Sequence, residues 1–280
     1  HLIGSPFTVD VAPAKTFAKR CNVSGIVSFQ SWNVGDVETF YLTARDAMNN
    51  MRLIGGDKFE VIAYLNRGGA SIDRDNDLVK LNLENSKLAE VVHGSVHDHG
   101  NRNFTVKIRP IKKGEYTLAV TVGGHHVAKS PYSVLVSVGK ASSAASVAVG
   151  RGLYTARATF ESVFTLQARD AYSNDLVTDS GWAIEGHILA PGSGSTPSKV
   201  PLDVTMHGDG TARVRYTPKI AGENLMTVLL NGMHISGSPF QVNVADGPLD
   251  ASTSMATGSG LYNAEAGKIG EFTVQARDPF

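Results

Sequence analysis

The residues best suited to chemistry cluster between positions 73 and 99. Asp73, Asp75, Asp77 and Glu84 fall at the first, third, fifth and twelfth places of a run, the spacing at which carboxylates surround a calcium ion. Leu78 stands where such a loop needs glycine for its sharp turn, and flanking helices are not evident. The reading is therefore a solvated, charged loop. Next come His93, His97, Asp98 and His99. Neutral imidazoles hold zinc or copper, and His97 and His99 share a face if the backbone is extended, but no third ligand lies nearby. No metal is assigned. His125 and His126 fall in an expected hairpin and read as solvent-exposed.

Other groups point away from catalysis. Gly150-Arg-Gly152 resembles the opening of a phosphate cradle, yet no third glycine follows in register and the motif returns at Gly258-Ser-Gly260. It reads as fold punctuation. No nucleophile motif accompanies Cys21 or any serine, so no catalytic residue and no cofactor is expected. As the only cysteine, Cys21 has no partner for a disulfide within the chain, which tilts toward a reducing compartment. Asn22-Val-Ser and Asn103-Phe-Thr are glycosylation acceptors that matter only in the secretory pathway.

The bulk properties exclude further classes. The 26 basic and 26 acidic side chains balance and form no long block of one sign, so neither nucleic acid nor an anionic membrane is an expected partner. No apolar run reaches the roughly 18 residues that span a bilayer, and the first ten residues lack the basic and apolar regions of a leader. Twenty-nine Gly, eleven Pro and abundant Val and Thr favour short strands and turns. The expectation is an all-β protein.

What positions these residues is a repeat. Phe40-Tyr-Leu-Thr-Ala-Arg45-Asp46 returns as Phe164-Thr-Leu-Gln-Ala-Arg169-Asp170 and as Phe272-Thr-Val-Gln-Ala-Arg277-Asp278. Ser5-Pro6-Phe7 returns as Ser130-Pro131-Tyr132 and Ser238-Pro239-Phe240, each opening an alternating run. The later pairs of these motifs are 108 residues apart, as are Gly150 and Gly258, Pro110 and Pro218, and Gly114 and Gly222. One spacing held by several markers, at about 100 residues, is the size of an immunoglobulin-type sandwich. Phe164, Leu166 and Ala168 alternate with Thr165 and Gln167, the pattern of a half-buried strand. Trp182 is expected in a core. The recurring Arg-Asp pair suggests a repeated polar contact at a strand end, which as a surface salt bridge contributes about 0 to 1 kcal/mol.

With Gly208-Asp-Gly210 before Thr211–Tyr216, then Pro218, Ala-Gly222-Glu, Asn231-Gly-Met-His-Ile and Gly237-Ser-Pro-Phe-Gln-Val, the chain resembles filamin repeats. The resemblance covers essentially all of it. It implies tandem immunoglobulin-like β-sandwich repeats: the end of one at 1–12, complete repeats at 13–139 and 140–246, and the start of another at 247–280. Repeat two carries a 16-residue excess, placed after Phe59–Leu65, its expected strand C; strand C of repeat three is expected over Trp182–Leu189.

The resemblance also implies a function. Several filamin repeats look like peptide-capture modules, in which a partner pairs as an added strand along the C and D edge. The residues expected on that edge are Ala89, Val91 and His93 in repeat two and Val200, Leu202 and Val204 in repeat three. Pro201 is of the sort that blocks edge pairing. The implied role is a cytoplasmic, cytoskeletal scaffold that docks peptide segments of membrane or signalling proteins and reaches actin through a module outside this sequence. Two alternatives are a cell-surface adhesion ectodomain, to which the two sequons would be suited, and targeting repeats of a larger enzyme such as a ubiquitin ligase.

Overall fold

Alternation of apolar and polar residues with a period of two governs almost every element. The computed structural model describes residues 3–66, 90–190 and 198–279. The chain divides into two compact units, His1–Gly139 and Lys140–Phe280.

In the first unit the strands are β1 Asn22–Ser24, β2 Gln30–Asn33, β3 Glu38–Thr43, β4 Phe59–Leu65, β5 Val91–His93, β6 Ser95–Asp98, β7 Asn103–Ile108, β8 Gly114–Val122, β9 His125–His126 and β10 Tyr132–Ser137. They form two sheets, ordered β1-β3-β7-β6 and β2-β10-β8-β4-β5, with β9 folded back on β8. Neighbours are antiparallel except β2 and β10. The inner faces meet in one core, where Phe40, Leu42, Phe104 and Val106 of one sheet face Val61, Leu118, Val120 and Val134 of the other. Phe59 and Phe104 pack with ring centroids 4.8 Å apart. This is the two-layer solution for sheets that are apolar on one side.

The second unit repeats the plan with β11 Val147–Val149, β12 Thr155–Arg157, β13 Ser162–Gln167, β14 Ile184–Leu189, β15 Lys199–Pro201, β16 Asp203–Met206, β17 Thr211–Tyr216, β18 Gly222–Leu230, β19 Met233–His234 and β20 Phe240–Ala245. Its sheets run β11-β13-β17-β16 and β12-β20-β18-β14-β15. Phe164, Leu166, Ala168 and Trp182 are buried, as expected. Strand C begins at Ile184, two residues later than its expected start, and Trp182 caps the approach by donating its indole N–H to the Thr178 carbonyl at 3.0 Å. A last pair, β21 Met255–Thr257 and β22 Thr273–Gln275, follows.

Two expected strand faces are not buried. Phe7, Val9 and Val11 are exposed and unpaired, and Phe272 and Val274 are exposed on a two-stranded sheet. Each has the right alternation, but among the described residues no second sheet covers it.

The Arg-Asp motif proves to be a loop device. Asp46 is 2% exposed, and its carboxylate accepts hydrogen bonds from the backbone N–H groups of Ala14, Met48 and Asn50 and from the Asn50 amide, at 2.8 to 3.0 Å. Asp170 receives the same bonds from Tyr172 and Asn174. The arginines turn elsewhere: Arg45 donates to the Asn49 carbonyl, and Arg169 pairs with Asp175 at 2.7 Å. Asn50, then the surrounding backbone donors, hold the Asp46 carboxyl below its usual range against the opposing pull of burial.

The Ser-Pro serines close the last hairpin of each repeat. Ser130 Oγ accepts the Val120 N–H at 2.9 Å and lies 2.9 Å from His126 Nδ1; Ser238 does the same for Val228 and His234, at 3.0 and 2.9 Å. His126 is therefore a largely buried hairpin residue, contrary to the solvent-exposed expectation, whereas His125 is exposed. Tyr116 on β8 donates to the Lys112 carbonyl at 3.0 Å, the corner bond typical of immunoglobulin-like sandwiches. Tyr216 donates to the Gly152 carbonyl, and burial, partly offset by a Ser162 hydrogen bond, pushes its phenol up to about 12.

Gly150 caps the start of the 3-10 turn Arg151–Leu153, and Gly152 lies inside it. Gly150 has φ 137°, and a Cβ at Gly152 would lie 2.5 Å from the Val163 carbonyl oxygen. The glycines are needed for chain crossing, as the punctuation reading expects.

Candidate partner-binding edge

After its inserted connection the chain of repeat two returns as β5, pairs with β4, and passes through Gly94 into β6 of the opposite sheet. The connection lies between Leu65 and Val91, where the excess was expected. Ala89 and the calcium-like set Asp73, Asp75, Asp77 and Glu84 lie outside the described residues.

The register decides which groups are open. Leu65 donates to the Glu90 carbonyl at 3.0 Å and Gly94 donates to the Val61 carbonyl at 2.8 Å, while Ile62, Ala63 and Tyr64 oppose His93, Val92 and Val91. In an antiparallel ladder the main-chain groups alternate in direction, so those of Glu90, Val92 and Gly94 face β4 and those of Val91 and His93 face outward. Among the described residues no strand pairs with the outer side of β5, so the edge at this end of the sheet is β5 rather than β4. Val91 is 38% exposed, and its side chain and that of His93 share the outer face with Ile62 and Tyr64. Burial, then Glu60, raises the Tyr64 phenol.

Repeat three has the same geometry with different chemistry. Ala190 donates to the Ser198 carbonyl at 3.0 Å and Leu202 to the Gly186 carbonyl at 3.1 Å, with His187 and Ile188 opposite Pro201 and Val200. Val200 and Leu202 thus turn their main chains toward β14, and Val204 on β16 pairs with Val214; all three side chains are half-buried on the inward face. The outward positions are Lys199 and Pro201. Proline has no N–H, so this edge lacks a donor that His93 supplies in repeat two. Burial, then Lys199, lowers the pKa of His187.

The two predicted sets therefore sit on opposite faces. Val91 and His93 point out, and Val200, Leu202 and Val204 point in. Ladder partners align Val92 with Val200 and Gly94 with Leu202, one residue out of phase with the predicted sets, and a one-residue slip reverses every side chain. At the crossing the repeats exchange bulk. A Cβ on Gly94 would come within 2.9 Å of Val61, and one on Gly186 within 2.8 Å of Leu202 Cδ1. Repeat two fills this space from strand C, and repeat three fills it from the crossing strand.

The remaining candidates stay apart. The rings of His97 and His99 meet edge-on with centroids 4.8 Å apart, and His99 Nε2 bonds with Thr105 Oγ1 at 2.8 Å. Asp98 accepts the N–H groups of Gly56 and Gly100 at 2.7 and 2.8 Å. Among the described residues no three ligating side chains converge. Asn22 and Asn103 are both exposed and flank Thr43 on neighbouring strands. Cys21 is buried, with its thiol 3.5 Å from the Phe17 carbonyl, and burial is the largest of the influences that raise its pKa. No helix among the described residues is long and apolar enough to cross a membrane.

The hairpin serines and the open β5 main chain were missed by sequence reasoning. For the serines a signal was present, since Ser130 and Ser238, like His126 and His234, are 108 residues apart.

Comparisons with known proteins agree with the two-sandwich plan. The model of the Filamin/ABP280 repeat matches residues 15–133 and 140–241. Filamin-C of Rattus norvegicus is 27% identical over 280 residues, covering 99% of this chain, and Filamin-A of Drosophila melanogaster is 29% identical over 210 residues, covering 62%. The chain spans 9% of the length of either relative. Among solved structures, the Lin-41 filamin domain aligns over 39% of this chain and 100% of its own at 25% identity and a TM-score of 0.34. The Escherichia coli adhesin FdeC aligns over 96% of this chain and 76% of its own at 19% identity and a TM-score of 0.47. With the family model matching most of its length, and each match falling on one sandwich, this chain belongs to the filamin repeat family.

Proposed function

We propose that this chain is a stretch of a cytoplasmic, cytoskeletal scaffold in which repeat two, residues 13–139, captures an extended peptide by strand addition along β5, and repeat three, 140–246, serves chiefly as a structural link. The segments 1–12 and 247–280 belong to the flanking repeats. Actin is engaged by a module elsewhere in the protein, and no catalytic step is assigned to these repeats.

The observation that carries this reading is the pair of outward main-chain units at Val91 and His93, set beside the half-apolar face of Ile62, Tyr64 and Val91. Main-chain bonds supply affinity in this mode, and alternate side chains supply selectivity. Pro201 and Lys199 make the corresponding edge of repeat three a poorer template. Peptide segments of membrane or signalling proteins are the expected partners.

The test uses the whole chain as bait. His93→Pro removes one outward N–H and leaves the β4–β5 bonds in place, so it should abolish capture of partners while stability is nearly unchanged. On partner binding, the Val91 and His93 amides should gain protection from hydrogen exchange. Undiminished capture by the variant, or protection only at repeat three, would overturn the proposal.

A further inference from the structure

His97 and His99 are two residues apart, the spacing that puts side chains on one face of an extended chain. His97 lies on β6 opposite Thr105 of β7, and His99 continues the extended course, its N–H donating to the Asn103 carbonyl at 3.2 Å. Both residues are exposed. Asp98, between them, alternates to the other face, where its carboxylate is occupied by the Gly56 and Gly100 amides.

The two rings stand 4.8 Å apart, centroid to centroid, with their planes at 86°. Two imidazoles sharing one tetrahedral ion, at metal–nitrogen distances of about 2.0 to 2.1 Å, have centroids about 5 Å apart. The pair is therefore already at the spacing of a chelate. Thr105 Oγ1 lies 2.8 Å from His99 Nε2. In the tautomer that donates from Nε2, this bond fixes the ring and leaves the lone pair on Nδ1, the usual setting of a metal-bound histidine. The His97 ring has no hydrogen-bond partner among the described residues, so neither of its nitrogens is taken. Imidazole selects zinc, nickel or copper over magnesium and calcium, which prefer oxygen ligands.

We propose that His97 and His99 chelate a zinc ion through one nitrogen each, with water in its remaining positions. Because no third ligating side chain converges among the described residues, the ion is exchangeable rather than structural. Repeat three lacks the site: its ladder puts Thr205 where repeat two has His97, and His207 takes the place of His99. The site lies on the other sheet from β5 and does not depend on peptide capture there.

The test is an NMR titration of the 280-residue chain with zinc chloride, with magnesium chloride as the control and EDTA to reverse the effect. Saturable shifts of both imidazoles and of Thr105 are expected, at zinc concentrations that leave His207 unmoved. His97→Ala and His99→Ala each change one exposed residue and should remove the saturable response of the remaining histidine, while the rest of the spectrum shows the fold retained. Thr105→Val keeps both ligands and should weaken binding about tenfold, through loss of the bond that orients His99. The proposal is overturned if His97 and His99 do not shift together and saturably, or if either single-histidine variant titrates as the wild type does. It is overturned equally if His207 responds over the same range, since that would reveal no more than the zinc affinity of any exposed imidazole.

Discussion

Gly94 and Leu202 occupy the same place in successive repeats, and what permits the difference is the residue beside it on the neighbouring strand, Val61 in one and Gly186 in the other. Gly94→Leu should destabilise repeat two by about 1 to 3 kcal/mol through overpacking. Combined with Val61→Gly, it should cost less than the two single changes summed, because the pair then matches repeat three. Denaturant melts in a double-mutant cycle measure that coupling. Asp46 makes a second prediction at this scale. Its native pKa is held below the unfolded value, so in acid the unfolded chain binds more protons than the native one. Its stabilising effect is present above about pH 4 and lost as pH falls through the native pKa. Asp46→Asn should flatten that acid limb in thermal melts recorded across pH.

At the scale of elements, the hairpin that closes each repeat depends on a serine bonded to a buried strand N–H. Ser130→Ala and Ser238→Ala each leave that donor unpaired and should cost about 1 to 3 kcal/mol, read from chemical denaturation of the respective repeat. The strands themselves were legible because alternation and turn glycines are local signals. Phe40, Phe164 and Trp182 could be placed in cores without any coordinates. Strand D was legible only in position. The inserted connection before β5 separates it from the nearest landmark, so the sequence offered no anchor for its phase: Val91 and Val200 were both named on the edge without a face, and they lie on opposite ones. The outward main chain of β5 was also hidden, since it depends on which neighbour β4 pairs with, a long-range choice that periodicity does not encode.

At the scale of the molecule, each unit has its own two-sheet sandwich and its own buried residues. Arrays of this kind unfold semi-independently, so pulling on the chain should give two separate unfolding steps for the two complete repeats, and one cooperative event would contradict this. The lone buried cysteine supplies the assignment. Cys21 is 1% exposed, its thiol is held protonated by burial, and repeat three has no cysteine at all. A thiol-reactive dye should therefore ignore the folded chain and label it only when repeat two opens. This chain contains a natural chemical stopwatch for one repeat, able to report, under load and without any engineered probe, the moment repeat two gives way.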